Sequence, residues 1–186
     1  MKTSSSFVHE IRPATIADAK GIATVHVNTW RDAYKDIVPS GYLAALDVVT
    51  RGERWLKTVT AGTPHVFVAV VNDTVVGWIA FGPSRDDDLE SHCAEIEAIY
   101  VAPSFWRRGI GTALVNAAAE RLYAEGYSAV ALWVLRDNKS AQSFYVRRGF
   151  QTDGSAKVIE IGGAPLTEVR LKGSIADERS QMPGRH

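Results

Sequence analysis

The chain has 186 residues, 46% of them hydrophobic, and its 21 basic side chains balance 21 acidic ones. This balance argues against a nucleic-acid or membrane surface built on net charge, and one cysteine with five scattered histidines argues against a disulfide framework or a zinc site. We therefore expect a reduced, cytoplasmic protein without a metal, folded as one domain over residues 1–172 with a disordered tail at 173–186.

The first half of the chain predicts a strand, two helical stretches and a hairpin. The strand covers Val8 to Arg12, and the helices run from about Ile16 to Tyr34 and from Tyr42 to about Thr60. Two β-prone runs joined by Asn72-Asp73 predict an antiparallel hairpin of residues 66–71 and 75–81. Core candidates in the second helical stretch are Leu43, Leu46, Trp55 and Leu56.

The second half of the chain alternates strands with helices. In chain order, the predictions are a strand at Cys93 to Val101, a helix at Gly109 to about Glu125, a strand at Val130 to Leu135, a helix at Lys139 to Arg148, and closing strands around Phe150, Val158 to Ile161 and Leu166 to Leu171. This order mixes hairpins with βαβ crossings. It predicts an α/β (α+β) fold with a mixed, mostly antiparallel central sheet flanked by helices.

A glycine turn precedes the third helix, where the chain reads Arg107-Arg108-Gly109-Ile110-Gly111-Thr112. Its glycines allow the backbone to approach a ligand, and the helix start offers N–H groups and the positive end of the helix dipole. Close helix packing without a ligand would also explain the glycines. A dinucleotide-binding turn needs a further glycine where Leu114 stands, and no lysine-containing P-loop is present. The turn therefore predicts a phosphate site that fits neither nucleotide template.

Two longer motifs surround this turn. Ile99-Tyr100-Val101-Ala102-Pro103 leads into the glycines, and Asn138-Lys139-Ser140-Ala141 leads into Phe144-Tyr145 and then Gly149-Phe150. Together they closely resemble the GCN5-related N-acetyltransferase (GNAT) family, and the element order is similar from about Ile11 to Leu171. The resemblance implies acetyl-CoA as the acyl donor and the GNAT acyl-CoA N-acyltransferase fold, whose sheet splays between its fourth and fifth strands.

The resemblance also implies which residues bind the donor. The pyrophosphate of CoA is expected on the amides of the glycine turn, namely Arg107, Arg108, Gly109, Ile110, Gly111 and Thr112. The pantetheine and the thioester carbonyl are expected against Ile99, Tyr100 and Val101, with further contacts from Asn138 and Ser140, although a helix-capping role alone would explain Asn138. One position departs from the family pattern, because Trp106 stands where Gln or Arg is usual.

Two carboxylates lie inside the apolar fourth strand and are candidates for a general base. A primary amine has a pKa of about 10.4, so at neutral pH a transferase must remove a proton from it. Glu95 and Glu97 are two residues apart and point to one face. The resemblance favours Glu95 as the base, acting through water, and makes Glu97 the second choice. Pairing with an arginine or exposure on a solvated face would explain both residues without catalysis.

Tyr145 is the candidate general acid, because it occupies the position of the family's acid tyrosine. The structural alternative is that Tyr145 is only a buried aromatic residue in the apolar stripe of its helix. Cys93 has no histidine placed by the sequence to activate it, so no acyl-enzyme is expected. We expect direct transfer from acetyl-CoA to the amine in a ternary complex.

The acceptor is the least determined part of the prediction. Trp30 and Tyr34, four residues apart on the first helix, are candidates for the wall of the acceptor pocket, or else for the core. Six acids between residues 86 and 97 favour an ammonium acceptor, although a solvated acidic loop would explain the aspartates. The acceptor is then a small-molecule amine, or a peptide or protein N-terminus or lysine. An acyl-CoA-binding sensor without turnover is the alternative function, and the sequence leaves a homodimer open.

Overall fold

The computed structural model describes residues 9–175, which form seven strands and five α-helices. The strands β1 to β7 are Glu10–Pro13, His65–Val71, Thr74–Pro83, Cys93–Val101, Ala129–Leu135, Gln151–Ile161 and Ala164–Ser174. The helices α1 to α5 are Ala19–Ala33, Ser40–Ala45, Val48–Ala61, Ile110–Ala124 and Lys139–Val146. No helix in this part of the chain is long and apolar enough to cross a membrane.

All seven strands join one mixed sheet in the order β1-β2-β3-β4-β5-β7-β6. Only β4 and β5 are parallel among the described strands, so the predicted mixed, mostly antiparallel sheet is confirmed. The parallel pairing joins Cys93–Glu95 to residues 129–131 and goes no further. Beyond Glu95 the two strands separate, and we call the resulting opening the β4–β5 cleft. The splay between the fourth and fifth strands is thereby confirmed.

Alternation along the strands divides the core between the two faces of the sheet. Val130, Leu132 and Val134 point toward α4 and belong to the largest apolar cluster, together with Ile110 and Leu114 of that helix. A second cluster covers the opposite face and packs against α1 and α3. A third cluster lies where the 34–46 segment meets the end of β5. The donor motifs and the acceptor candidates are therefore placed around one sheet.

The second helical stretch differs from its prediction, because it is two helices. Leu46 is extended and ends α2, and the Asp47 carboxylate accepts a hydrogen bond from the Thr50 N–H and caps α3. Leu43 and Leu46 are buried as expected, and Trp55 is partly buried. Leu56 is 44% exposed, so its predicted place in the core is wrong.

Strand β7 extends past the predicted domain boundary at residue 172. Gly173 and Ser174 belong to β7, where they pair with Val130 and Ala129, and Ile175 is buried. Residues 1–8, which include Val8 of the predicted first strand, and residues 176–186 of the predicted tail lie outside the described residues.

His26 lies on α1 inside an aromatic cluster. Its ring stacks against Trp30 at 5.5 Å and against Trp78 at 5.6 Å between centroids. Within residues 9–175, neither ring nitrogen has a hydrogen-bond partner. Burial, with a smaller contribution from Arg51, lowers the pKa of His26 to about 3. The residue is therefore neutral in the folded protein at neutral pH.

His26 is expected to make folding pH-dependent. Between about pH 3 and pH 6.5 the unfolded chain binds a proton at this residue that the folded chain excludes, so the free energy of unfolding falls as the pH drops. Replacing His26 by Phe keeps an aromatic ring and removes the titration. Denaturant unfolding should show the wild type losing about 2 kcal/mol more than His26→Phe between pH 7 and pH 5. Parallel pH profiles for wild type and His26→Phe would contradict this assignment.

Candidate active site

The glycine turn builds a cradle of backbone amides at the start of α4. Arg107 and Gly109 adopt left-handed conformations, with φ of 60° and 83°. The first hydrogen bond of the helix runs from the Ala113 N–H to the Gly109 carbonyl, at 3.0 Å. The amides of residues 109–112 therefore precede the bonded part of the helix and have no carbonyl within it. Such a group of amides at a positive helix end binds anions.

The second glycine of the turn lies in a tightly packed place. A Cβ on Gly111 would lie 3.2 Å from the Phe144 ring, which α5 places against the first turn of α4. Close packing therefore also favours a glycine here, and it is compatible with the amide cradle. Arg107 and Arg108 are both exposed, and the Arg108 guanidinium lies 5.4 Å from the centre of the Phe105 ring.

Trp106 takes a defined place beside the turn. Its indole N–H donates to the Val101 carbonyl at 2.6 Å, and the Thr29 hydroxyl donates to the same oxygen at 3.1 Å. The Trp that replaces the usual Gln or Arg thus fixes the end of β4. It also occupies one of the main-chain acceptors that the sequence assigned to the donor.

Main-chain groups of two residues at the end of β4 face the cleft. The Ala102 N–H donates to the Val76 carbonyl of β3 at 2.8 Å. Because main-chain groups alternate in direction along a strand, the N–H and carbonyl of Tyr100 also point to β3, whereas those of Ile99 and Val101 point to the cleft. In the described chain no strand pairs with β4 there beyond Glu95. The Ile99 N–H and carbonyl and the Val101 N–H are therefore placed to bond an extended ligand in the cleft.

Tyr100 lies differently from the other residues predicted to bind the donor. Its backbone pairs with Trp78, and its hydroxyl oxygen lies 3.5 Å from that of Tyr34. Its side chain packs with the cluster against α1 and α3. The structure therefore groups Tyr100 with the acceptor candidates Trp30 and Tyr34.

Glu95 is held by Arg85. Its side chain is only 4% exposed, and its Oε2 accepts from the Arg85 main-chain N–H at 3.1 Å and from Nε at 3.0 Å. Its Oε1 accepts from Nη2 of the same guanidinium at 2.5 Å. Glu95 is therefore paired with an arginine, which the sequence analysis gave as the explanation without catalysis. Both oxygens already accept hydrogen bonds from Arg85, so the carboxylate is fixed in place.

Glu97 faces the same arginine more loosely. Phe81 pairs with Ile96 and Ala80 with Ala98, so Glu97 is the extra residue of a β-bulge. Its Oε2 lies 3.4 Å from Arg85 Nη1, and the side chain is 23% exposed. Burial raises the pKa of Glu97 and the adjacent guanidinium opposes the rise. Of the two predicted carboxylates, Glu97 is the more exposed and the more loosely held by Arg85.

The acids of the 86–97 segment are largely paired. Arg170, buried on β7, binds Asp86, Asp88 and Asp153 with contacts of 3.1, 2.6 and 2.7 Å. The expectation of free aspartates that attract an ammonium group is therefore wrong for Asp86 and Asp88. The sequence pattern could not show this, because their partner lies more than 80 residues away.

Three tyrosines converge behind the cleft. Tyr145 is buried on α5, with its ring 5.1 Å from Phe144 and 5.5 Å from Phe150. Burial raises the pKa of Tyr145, and the nearby Tyr34 adds to the rise. The pKa values of Tyr34 and Tyr100 are raised by burial as well. Tyr145 therefore stays protonated at neutral and moderately alkaline pH, as a proton donor requires.

Asn138 and Ser140 lie at the start of α5. The Asn138 side chain accepts a hydrogen bond from the Ala141 N–H at 3.1 Å, so its capping role is confirmed. A hydrogen bond to Asn138 also partly offsets the raised pKa of Tyr34. Ser140 is exposed in the first helical turn.

Trp30 and Tyr34 have features of both predicted roles. Their rings meet edge to face at 4.9 Å, and both are partly buried against the cluster of Val27 and Leu43. The Tyr34 hydroxyl faces Tyr100, as described above. The pair is thus packed on the core and also brings the Tyr34 hydroxyl to Tyr100.

Arg85 is a site residue that the sequence did not identify. It lies two residues after Pro83, just past the end of β3, and Gly82 of that strand pairs with Glu95, so the chain beyond β3 stays close enough for Arg85 to reach the carboxylate. Glu168 is the second, on β7, where its carboxylate lies 3.7 Å from Lys157. Burial raises the pKa of Glu168 and Lys157 opposes it.

Comparisons with known proteins agree with this geometry. Residues 27–150 match the model of the acetyltransferase (GNAT) family. An uncharacterized N-acetyltransferase of Bacillus subtilis (strain 168) is 34% identical over 165 residues, covering 87% of this chain and 90% of the relative. A spermidine N(1)-acetyltransferase of Thermoplasma acidophilum is 25% identical, covering 81% and 95%. The crystal structure of the PaiA N-acetyltransferase of Thermoplasma acidophilum with coenzyme A has a TM-score of 0.73 at 20% identity, covering 90% and 99%, and shows the same fold.

Proposed function

Because this chain belongs to the acetyltransferase (GNAT) family and is an N-acetyltransferase, we propose that it moves an acetyl group from acetyl-CoA to a primary amine by direct transfer in a ternary complex. The observation that carries the proposal is the amide cradle of residues 109–112, which opens beside the β4–β5 cleft. A phosphate group fits the amide cradle, and the extended acyl carrier attached to it fits the cleft.

The donor would be held mainly by the backbone. Amides of the glycine turn would bind the pyrophosphate, and the free groups of Ile99 and Val101 would pair with the amides of the pantetheine. Bound acetyl-CoA supplies an activated thioester. The amide cradle fits that group because it is charge-complementary, and the cleft fits because β4 offers it an unpaired edge.

We assign the general base to Glu97. It has a raised pKa and partial exposure, whereas both oxygens of Glu95 are bound by Arg85. Glu97 would accept the amine proton, directly or through a water molecule. Glu95 would act as a positioning residue that holds the guanidinium beside Glu97.

We assign the general acid to Tyr145. Its buried hydroxyl is near the other phenols of the cleft and remains protonated because its pKa is raised. The departing thiolate of CoA would take its proton. Cys93 is buried and its pKa is raised by that burial, which supports transfer without an acyl-cysteine.

The charges around Arg85 and Lys157 support a cationic small-molecule amine as the acceptor. Apart from the ion cluster of Arg170, the three carboxylates Glu95, Glu97 and Glu168 exceed the two cations Arg85 and Lys157. Even after the ion pairs are formed, the net negative charge attracts ammonium groups. The spermidine-acetylating relative is in line with such an acceptor. Peptide or protein amines remain the alternative, and the cytoplasmic location and a homodimer stay predictions.

Release of CoA thiol tests the proposal against a non-catalytic sensor. The purified chain should release thiol from acetyl-CoA only when an amine is added, and a panel should include monoamines, polyamines and a lysine peptide. Multiply charged amines should give the highest kcat/KM. Binding of acetyl-CoA without thiol release for any amine would favour the sensor, and preference for the peptide would move the acceptor to protein amines.

A further inference from the structure

Arg148 connects the end of α5 to the first turn of α4. Its guanidinium donates through Nη2 to the Thr112 hydroxyl and through Nη1 to the Phe144 carbonyl at 2.8 Å. The guanidinium carbon also lies 3.6 Å from the centre of the Phe144 ring. A positive charge is thus held at the side chain of one of the four cradle residues.

The guanidinium of Arg148 is packed in a defined place, but not all of its N–H groups have hydrogen-bond partners. Phe144 packs against Gly111, so the ring under the guanidinium also touches the cradle. Nε of Arg148 is buried and has no hydrogen-bond partner among residues 9–175. A buried cation with an unpaired donor is costly, and negative charge on a ligand at the cradle would offset part of that cost by Coulomb attraction to the guanidinium.

Arg148 differs in this respect from the two arginines of the glycine turn. Arg107 is exposed, for example, and ordering an exposed arginine on a ligand costs side-chain entropy. Arg148 is already held by Thr112 and by the ring of Phe144, so less freedom is lost when it binds a phosphate.

We propose that Arg148 is a donor-binding residue whose guanidinium completes the amide cradle from α5 and binds the pyrophosphate of the acyl donor. The inference rests on the function proposed above, in which acetyl-CoA is that donor. It adds a side-chain cation to a site that the sequence assigned to backbone amides and to the arginines of the turn.

Calorimetric titration of the full chain with CoA tests this role. Arg148→Met keeps an apolar stem on Phe144 and removes the charge, and it should weaken CoA binding about tenfold. Arg148→Lys keeps the charge without the forked donors and should weaken it about threefold. Arg147→Met, at the exposed neighbour, is the matched control and should change the Kd less than twofold.

Two further ligands separate phosphate binding from a structural role. Dephospho-CoA, which lacks the 3′-phosphate, should show the same loss in Arg148→Met, because the pyrophosphate is retained. Acetyl-pantetheine, which has no phosphate, should be turned over by Arg148→Met with kcat/KM within twofold of wild type.

Three results for Arg148→Met would overturn the inference. The first is wild-type affinity for CoA, and the second is a loss of kcat/KM with acetyl-pantetheine as large as the loss of CoA affinity. The third is weaker binding of CoA with unchanged binding of dephospho-CoA, which would place Arg148 at the 3′-phosphate. Wild-type protein that binds no CoA would instead defeat the proposed function, and this inference with it.

Discussion

Glu97→Gln is expected to lower kcat/KM for the amine by about a hundredfold at pH 7, with the deficit shrinking as the pH rises toward 10. At pH 7 an aliphatic amine is almost entirely protonated, so a base must accept its proton. As the pH approaches the pKa of the amine, more of the acceptor arrives neutral and the base matters less. Steady-state rates over pH 6.5 to 9.5 with saturating acetyl-CoA measure this dependence.

Glu95→Gln is the matched comparison, because it removes the other carboxylate bound to Arg85. Its effect should come from a loosened guanidinium and should therefore be similar at every pH. If Glu95→Gln instead shows the deficit that shrinks with pH and Glu97→Gln does not, the base is Glu95. A pH-independent loss in both variants would remove the base role from this strand.

Tyr145→Phe is expected to lower kcat by about a hundredfold while leaving the Kd of CoA within twofold of wild type. Phe fills nearly the same volume in the buried site between Phe144 and Phe150, so little packing is lost. Because the pKa of Tyr145 is raised, the wild-type hydroxyl stays protonated through pH 9, and the deficit should persist across that range. Single-turnover rates measure it, since they report the chemical step.

Tyr123→Phe, at an exposed tyrosine on α4, controls for the loss of a phenol in general and should retain full activity. An unchanged single-turnover rate in Tyr145→Phe would reduce this residue to a core aromatic. A large rise in the Kd of CoA would indicate that the hydroxyl binds the donor and does not act as an acid.

Local patterns predicted most of the fold. The bounds of β4, Cys93–Val101, agree with the sequence expectation, because an apolar strand stands between a polar loop and a proline-containing turn. The hairpin also follows from local chemistry, since Asn72 and Asp73 take the left-handed conformations that its two-residue turn needs. The break between α2 and α3 was not predicted, because Asp47 reads as an ordinary polar residue unless its capping bond is known.

The candidate site was predictable only where it is local. The glycine turn and the cap at Asn138 are properties of short segments, and both have the expected geometry. The pairing of Glu95 with Arg85 depends on how β3 and β4 align, and the ion cluster of Arg170 depends on a strand near the other end of the chain. Arg148 meets Thr112 across 36 residues. Such contacts require the tertiary structure, and they change which carboxylate is assigned as the base.

Initial rates with both substrates varied, together with the intact mass of the protein after incubation with acetyl-CoA alone, test direct transfer most directly. We expect double-reciprocal plots that intersect, and no acetyl group on the protein in the absence of amine, because both substrates must be bound before transfer. Parallel plots with an acetylated protein that passes its acetyl group to a later-added amine would contradict the ternary-complex mechanism.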